Sequence, residues 1–200
     1  FFFEFLLFSS MLVVLNPFGL TLWALHLVVT FWGLDALTAH GPLEHPPLPS
    51  YPVWPEQFHA QLFQNRSGRL AMVDLYYDWP GGRNMNLIHD QQGRILFDVE
   101  YNNRTSFYFT WGATRANDTC KVMHFPVGIL TPQWMKGATY LGTASMDGHI
   151  CHVWTKVNFI TYYASVETGN PIAWRFWIDG AWFHVMTFEP GPFRLSEARW

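Results

Sequence analysis

The sequence predicts a mainly β domain of the α+β class, in which an antiparallel sheet of successive hairpins accompanies one or two short helices. Apolar and polar residues alternate from Ile95 to Tyr101, and a period of two is typical of a strand with one apolar face. Turn-forming residues separate several such segments, which favours an antiparallel meander. Aromatic residues make up 18% of the chain, far more than a disordered chain contains.

Turn signals divide the first half of the domain into short segments. Residues 78–83 (DWPGGR) are predicted as a turn, because Pro and the paired Gly residues supply the backbone angles that a turn requires. Gln92-Gly93 and Asn102-Asn103 are further turn signals. We therefore expect a short helix or a strand at residues 56–63, and strands at 69–77, 84–89, 95–101 and 105–110.

The second half is less regular. A short helix is predicted within residues 129–140, because Pro132 suits a first helical turn. Strands are predicted at residues 148–156, 160–166, 172–178 and 182–188. In the third of these, large apolar residues alternate strictly from Ile172 to Ile178, as in a strand with one buried face.

The first 34 residues are strongly apolar, and we interpret residues 1–40 as a signal peptide or an N-terminal anchor. A cut after Thr38 or Ala39 would suit a signal peptide. An uncleaved anchor needs about 20 apolar residues, which residues 11–34 could supply.

One feature disagrees with a signal peptide, because Arg66 is the first Lys or Arg of the chain and the usual positive n-region is missing. The first residue is Phe, so we also expect the start to be incomplete, with Met11 as an alternative start. A mistranslated upstream region is the third interpretation.

Six prolines lie between Gly41 and Pro55. Proline lacks the amide donor and fixes φ, which excludes a helix or a central strand there. Residues 41–55 are therefore predicted as an extended, proline-rich linker, and residues 56–200 as a single β-rich domain.

Three Asn-x-Ser/Thr sequons follow the apolar segment, at Asn65, Asn103 and Asn117. Glycan acceptors downstream of an export signal indicate a secreted glycoprotein, either extracellular or in the endomembrane lumen. In that setting the two cysteines, Cys120 and Cys151, are expected to form a disulfide. The alternative is a thiol active site, which would need a supporting His and an intracellular setting.

Composition and missing motifs exclude several classes of function. The formal net charge of −3 provides no basic excess for nucleic acid. The chain contains no GxGxxG, P-loop, GxSxG or HExxH motif and no Asp-x-Asp triplet. We therefore expect no cofactor, and an enzymatic role stays open.

Four acidic residues are the weak catalytic candidates: Asp74, Asp78, Asp98 and Glu100. Two of these carboxylates on paired strands would meet the requirement of a glycosidase. The non-catalytic interpretation is that Asp98 and Glu100 are solvated on the polar face of an amphipathic strand. At the start of a turn, Asp78 would cap backbone amides.

Histidines and aromatic residues give two further patterns. His149 and His152 differ by three positions and face opposite sides of a strand, so no metal site is expected, and His152 is interpreted as a hydrogen-bonded core residue. Tryptophans and tyrosines on a sheet would either fill the core or form a surface that binds sugars or lipids.

The region from about residue 51 to residue 200 resembles a family of uncharacterised plant secretory proteins. The resemblance rests on residues 54–68 (WPEQFHAQLFQNRSG), 74–88 (DLYYDWPGGRNMNLI), 100–110 (EYNNRTSFYFT), 125–142 (FPVGILTPQWMKGATYLG), 151–156 (CHVWTK) and 184–191 (HVMTFEPG). Members of that family often carry the label of a transferase that transfers glycosyl groups, but the motifs for sugar nucleotides are missing here.

A weaker pattern is similar to the ependymin-related extracellular proteins. It consists of Tyr77-Asp78, Arg83, Cys120, Tyr140-Leu141-Gly142, Asp147-Gly148 and Cys151-His152-Val153-Trp154. That group is similar in fold to bacterial lipoprotein carriers. The resemblance implies a curved antiparallel sheet, a half-barrel with an apolar cavity, and a module that binds lipids.

Together these patterns lead to the hypothesis of a secreted glycoprotein that binds an apolar or amphipathic ligand in a sheet-lined cavity. The expected lining residues are Phe97, Val99, Tyr101, Phe107, Phe109, Trp154, Trp174 and Phe176. Glycans at Asn103 and Asn117 would mark the outward edge. The alternatives are a carbohydrate-active enzyme that uses Asp98 or Glu100 with Asp74 or Asp78, and a cell-wall protein that binds polysaccharide. A membrane is expected as a partner only if the N-terminal segment stays uncleaved.

Overall fold

The computed structural model describes residues 47–156 and 159–195. These residues belong to the unit Pro46–Trp200. The predicted signal peptide or anchor, and the first part of the predicted linker, lie outside the described residues.

The described residues form eleven strands joined in one antiparallel sheet. The strands are β1 (Gln57–Arg66), β2 (Arg69–Asp78), β3 (Arg83–Asp90), β4 (Ile95–Tyr101), β5 (Thr105–Thr110), β6 (Thr119–His124), β7 (Thr139–Met146), β8 (His149–Lys156), β9 (Ile160–Ser165), β10 (Pro171–Phe176) and β11 (Trp182–Pro190). The prediction of a mainly β protein with an antiparallel sheet of hairpins is confirmed, and of the two alternatives at residues 56–63 the strand is present.

The order of the strands across the sheet is β6-β5-β4-β3-β2-β1-β11-β10-β9-β8-β7. The sheet thus consists of two meanders, β1 to β6 and β7 to β11, which meet where the first strand pairs with the last. That central pairing runs from Phe58, opposite Pro190, to Asn65, opposite Trp182.

The prediction of a short helix within residues 129–140 is wrong. Residues 132–137 form consecutive turns, closed by amide hydrogen bonds such as Trp134 N to Thr131 O at 3.0 Å and Lys136 N to Gln133 O at 2.8 Å. Gly137 has a φ of 80°, which a helix does not continue through. In the described part of the chain, the helical element is one 3-10 turn, Arg115–Asn117, so the helices of an α+β domain are not seen there.

Two of the hairpins have two-residue loops with positive φ at both positions. Ser67 and Gly68 have φ values of 52° and 87°, and Asp147 and Gly148 have values of 49° and 81°. These angles define type I′ turns, whose twist matches that of the flanking strands.

Residues 125–138, here called the cover segment, connect the two edge strands β6 and β7. A flat sheet of eleven strands is about 48 Å wide, at about 4.8 Å per strand. A segment of this length spans at most about 50 Å when fully extended, and the turns at 132–137 shorten it. The two edges therefore lie closer together than in a flat sheet, and the sheet curves around the cover segment.

The sheet face that packs against the cover segment, here called the inner face, carries the hydrophobic core. Its fully buried side chains include Phe58, Leu62, Tyr77 and Tyr162. The cover segment contributes buried residues to the same core: Ile129, Trp134 and Met135.

Trp54, which lies in the predicted linker, packs against this core. Its ring meets the rings of Phe58, Tyr77 and Trp134 edge-on, with centroids 5.2 to 5.4 Å apart. Its main-chain amide donates a hydrogen bond to the carbonyl oxygen of Pro132 at 2.9 Å. The end of the proline-rich stretch is thus part of the folded unit.

Candidate functional site

The opposite face of the sheet, here called the outer face, holds an apolar cleft across strands β3 to β6. This outer cleft has a volume of ≈ 870 Å³. It is lined by Met85, Leu87, Ile95, Phe97, Val99, Tyr101, Phe107, Phe109, Thr110, Trp111, Asp118, Thr119 and Cys120. Five of the eight predicted ligand-binding residues are therefore brought together in one cleft: Phe97, Val99, Tyr101, Phe107 and Phe109.

The strand register explains why these side chains share a face. Met85 lies opposite Val99, and Val99 lies opposite Phe107. Directly opposite residues point to the same side of an antiparallel sheet. Met85 and Val99 form the floor of the cleft and are only 1% and 2% exposed.

Aromatic rings form the walls of the outer cleft. Phe97 and Phe109 stack with centroids 4.8 Å apart and ring planes inclined by 7°. Trp111 meets both rings edge-on, at 6.5 and 5.6 Å, while 63% of its own surface remains exposed at the rim. The arrangement presents a continuous aromatic surface.

The loop from Trp111 to Asp118 borders the cleft and is held by specific contacts. The amide of Gly112 donates to Asp118 Oδ1 at 2.8 Å, and Arg94 Nη1 donates to the carbonyl oxygen of Asn117 at 3.2 Å. A Cβ at Gly112 would lie 2.3 Å from Cβ of Asn117, so only glycine permits this approach.

The inner face contains a second, smaller space of ≈ 240 Å³, here called the inner cavity. It is lined by Trp54, Leu62, Gln64, Arg66, Val73, Leu75, Tyr77, Asn84, Asn86, Ile88, Asp98, Glu100, Leu130, Trp134, Ile160, Trp174, Phe176 and Phe183. Of the three remaining predicted ligand-binding residues, Trp174 and Phe176 line this cavity. Trp154 is buried in the core of the inner face. The eight predicted residues are thus divided between opposite faces of the sheet.

Asp98 and Glu100 line the inner cavity, so their interpretation as solvated residues is wrong. Asp98 is 8% exposed, because the cover segment and Trp54 enclose the face that the alternation pattern marks as polar. Asn86 Nδ2 donates to Asp98 Oδ2 at 3.5 Å, and Tyr108 also hydrogen-bonds to Asp98.

Burial shifts the ionisation of both carboxyl groups. Burial, together with the charge of Glu100, raises the pKa of Asp98 to about 7, although the hydrogen bonds from Tyr108 and Asn86 oppose the shift. Burial also raises the pKa of Glu100, against the hydrogen bond from Asn84. The pair therefore retains a proton in a pH range where an exposed carboxyl group is ionised.

The other two acidic candidates lie elsewhere. Asp74 is on the outer face of β2, with Oδ1 at 3.4 Å from Nε2 of His59 and Oδ2 at 3.4 Å from Nε2 of His89. Asp78 fixes the β2–β3 turn, as its position in the turn suggests. The structure brings Asp98 and Glu100 together but not Asp98 and Asp74.

The carboxylate of Asp78 accepts three hydrogen bonds. Oδ1 accepts from Gln57 Nε2 at 2.8 Å and from the amide of Gly81 at 3.1 Å, and Oδ2 accepts from Arg83 Nε at 3.1 Å. Although burial opposes ionisation, these bonds and the Arg83 charge lower the pKa of Asp78.

The expected disulfide is not present, and both cysteines are free. Cys120 lies on β6 at one edge of the sheet, and Cys151 lies on β8, next to the opposite edge strand. Cys120 is exposed at the wall of the outer cleft, whereas Cys151 is buried.

The three sequons lie at hairpin or loop positions. Asn103, in the β4–β5 turn, and Asn117, in the loop beside the outer cleft, are exposed. Asn65 is half-buried at the end of β1, and its Oδ1 accepts a hydrogen bond from the amide of Gly68 at 3.0 Å. His152 is half-buried and shares a hydrogen bond of 3.0 Å between its Nδ1 and the Tyr140 hydroxyl.

Within residues 47–156 and 159–195, no group of three or more potential ligands could hold a metal ion. The same residues include no helix with the length and hydropathy of a membrane span.

The sequence patterns identify Tyr108 and Trp111 only as members of the aromatic set that would fill the core or form a binding surface, and they do not mark Trp54, Asn84 or Asn86 as site residues. One signal for the asparagines was present. The turn at Gln92-Gly93 sets a register in which Asn84 lies opposite Glu100 and Asn86 opposite Asp98. Two polar pairs in succession on one face bring these four side chains together, but the same pattern occurs on a solvated face.

Comparison with known families and structures gives one family and several structural likenesses. A model described as "Domain of unknown function (DUF8395)" matches residues 53–200. No curated protein matches the chain. Among solved structures, an uncharacterised conserved protein from Thermus thermophilus is similar with a TM-score of 0.50 and 12% identity, over 72% of this chain and 82% of that one.

MucB, in its complex with MucA from Pseudomonas aeruginosa, is similar with a TM-score of 0.43 and 13% identity. That match covers 72% of this chain and 55% of the other, so the chain spans about half the length of the MucB structure. At these identities, the likeness to the Thermus protein concerns the fold alone.

Proposed function

The chain belongs to the DUF8395 family, and we propose that it binds an apolar or amphipathic small molecule in the outer cleft. The observation that carries this proposal is the cleft itself, ≈ 870 Å³ in volume and walled by aromatic side chains. Sites for small molecules are typically about 300–1,000 Å³ and mostly apolar, with a few polar groups. The outer cleft meets each of these conditions.

The polar groups of the outer cleft are concentrated on one side. Thr110, Asp118 and Thr119 come from the end of β5, the adjoining loop and the start of β6. Asp118 supplies the carboxylate of the lining, and its Oδ1 accepts from the Gly112 amide. A ligand with an apolar body against Phe97 and Phe109 and a neutral polar group near the two threonines of the cleft fits this distribution better than an anionic ligand does.

We further propose that the protein acts as a secreted or lumenal glycoprotein. The two exposed sequons support this location, because Asn103 and Asn117 lie in turns where a glycan has room. The curvature around the cover segment supports the half-barrel that the ependymin-related resemblance implies. A carbohydrate-active enzyme that pairs Asp98 with Asp74 is less well supported, because the two residues lie on opposite faces.

A binding measurement with a neutral apolar fluorophore tests the proposal. The full chain, extracted to remove co-purifying lipid, is titrated with N-phenyl-1-naphthylamine. We expect saturable binding, and a five- to tenfold weaker dissociation constant for Trp111→Ala, because this change removes one wall of the cleft.

Trp177→Ala is the matched control, since Trp177 is 52% exposed but does not line the cleft. We expect its dissociation constant to stay within twofold of the unsubstituted protein. Equal losses in the two variants, or the absence of saturable binding, would overturn the proposal. Native mass spectrometry of the unextracted protein would identify the class of a bound lipid.

A further inference from the structure

The inner cavity combines a polar wall with an aromatic wall. Asn84 and Asn86 on β3, and Asp98 and Glu100 on β4, form the polar wall, because each Asn lies opposite a carboxyl residue. The other wall consists of indole and phenyl rings contributed by Trp54, Trp134, Trp174, Phe176 and Phe183.

Two oxygen atoms of the polar wall accept no hydrogen bond from the residues that the structure describes, although the carboxyl groups of Asp98 and Glu100 bond to each other. The two atoms are Oδ1 of Asn84 and Oδ1 of Asp98, and their residues are only 9% and 8% exposed. A buried acceptor without a donor destabilises a protein by about 1–3 kcal/mol. A ligand that carries hydrogen-bond donors or positive charge would offset this cost for both atoms.

The ring faces of the aromatic wall favour a cationic ligand, while Trp134 Nε1 is a buried donor with no acceptor among the described residues and would suit a hydroxyl group on that ligand. Trp54 and Trp134 meet edge-on at 5.3 Å, and Trp54 and Trp174 lie 6.4 Å apart. Indole faces attract cations through their quadrupole, and the attraction increases where water is excluded. Cages of aromatic rings recognise quaternary ammonium groups through this attraction.

We propose that the inner cavity binds a small organic ammonium ion, held between the Asp98–Glu100 wall and the indole rings of Trp54, Trp134 and Trp174. The cavity has room for such a ligand, because a cavity of about 150 Å³ holds benzene and this one measures ≈ 240 Å³. The ligand is distinct from the apolar molecule of the outer cleft, from which the sheet separates it.

The charged and titratable groups around the cavity are compatible with a cationic ligand. On β1, Arg66 lines the cavity, but its Nε pairs with Asp179 Oδ2 at 3.2 Å. Tyr77 on β2 donates its hydroxyl to the carbonyl oxygen of Leu130, and Tyr108 on β5 hydrogen-bonds to Asp98. On β6, the exposed Lys121 lies opposite Tyr108.

Ligand binding must compete with protons. Because burial raises the pKa of both carboxyl groups, the pair gains negative charge as the pH rises through about 7. The affinity for an ammonium ion is therefore expected to increase by about thirtyfold between pH 5.5 and pH 8, because the ionised fraction of a group with a pKa of about 7 rises by that factor over this range.

Choline and its neutral carbon isostere, 3,3-dimethylbutan-1-ol, are the probes that test this proposal. Each is titrated into the full chain at pH 8 and followed by isothermal calorimetry and by the NMR shift of the ligand methyl groups. We expect choline to bind at least tenfold more tightly than the alcohol, with an upfield methyl shift from the indole rings.

Asp98→Asn keeps the shape of the side chain and removes its charge, and we expect it to weaken choline binding at least tenfold. Glu167→Gln is the matched control, because Glu167 is an exposed carboxylate in the β9–β10 turn. If circular dichroism shows that Asp98→Asn is misfolded, Glu100→Gln takes its place with the same expected loss.

Equal affinity for choline and the alcohol would overturn the proposal, as would unchanged choline binding in a folded Asp98→Asn variant. The absence of choline binding would overturn it as well, because water alone would then fill the cavity. Trp111→Ala separates this proposal from that for the outer cleft, because it is expected to leave choline binding within twofold.

Discussion

The indole nitrogen of Trp54 donates a hydrogen bond of 2.8 Å to the hydroxyl oxygen of Tyr162. This bond joins the segment that precedes β1 to β9, on the other side of the central strand pair. Tyr162 is fully buried, and burial strongly raises its pKa. The contact thus holds the proline-rich segment onto the inner face of the sheet.

Tyr162→Phe is expected to lower the free energy of unfolding by about 1–3 kcal/mol, because the indole N–H of Trp54 then has no acceptor in the core. The measurement is the midpoint of urea unfolding. Tyr163→Phe is the control, since Tyr163 points to the opposite face and should change stability by less than about 0.5 kcal/mol. Equal effects of the two substitutions would show that the Trp54–Tyr162 bond does not stabilise the fold.

The carboxyl pair predicts how stability depends on pH. The pKa of Asp98 is raised to about 7 in the folded protein, whereas it is about 3.9 in an unfolded chain. Between these values the folded state holds more protons, so the free energy of unfolding falls as the pH rises. The contribution is fully present below about pH 4 and is lost as the pH passes 7.

We expect the free energy of unfolding to be about 1–4 kcal/mol higher at pH 5 than at pH 8, as measured by urea unfolding. In Asp98→Asn most of this difference should disappear. A protein that is more stable at pH 8 than at pH 5, with the same profile in the variant, would contradict a buried carboxyl pair.

Asp78→Asn is expected to destabilise the protein by about 1–3 kcal/mol, because a carboxylate that accepts three hydrogen bonds becomes an amide with one acceptor oxygen. Thermal unfolding at pH 7 measures the loss. Asp179→Asn removes a half-exposed ion pair with Arg66, which is worth about 0–1 kcal/mol. If the two variants are equally stable, Asp78 does not hold the β2–β3 turn.

The free cysteines predict the result of a thiol titration. One thiol of the native protein, that of the exposed Cys120, should react rapidly with 5,5′-dithiobis(2-nitrobenzoate). Cys151 should react only after denaturation, because burial, with the nearby Asp147 charge, raises its pKa. Cys120→Ser should abolish the rapid phase, and a protein with no thiol even in denaturant would mean that the disulfide forms after all.

Local patterns identify the strands of the first meander well. β4 and β5 coincide with the predicted segments 95–101 and 105–110, because alternation and the intervening Asn residues are signals that local chemistry produces. β6 and β7 were not predicted. They are edge strands with mostly exposed residues, and without a buried face they carry no clear alternation.

The environment of each face depends on contacts that are distant in sequence. Alternation correctly separates Val99 from Asp98, but it cannot show that the face of Asp98 is also covered. Trp54 and the cover segment enclose the side of Asp98, and the turn that replaces the predicted helix places Trp134 there. For the same reason Phe97 and Trp174, which are both aromatic strand residues, belong to different sites.

The pairing of β1 with β11 has a consequence for how the protein is made. Because Leu62 on β1 pairs with Val185 on β11, the middle of the sheet forms only after β11 has left the ribosome. Until then β1 and β10 are both open edges, available to the edge strands of other chains. A glycan at Asn65, which lies opposite Trp182 in the β1–β11 pairing, would shield the edge of β1 from other chains during that time.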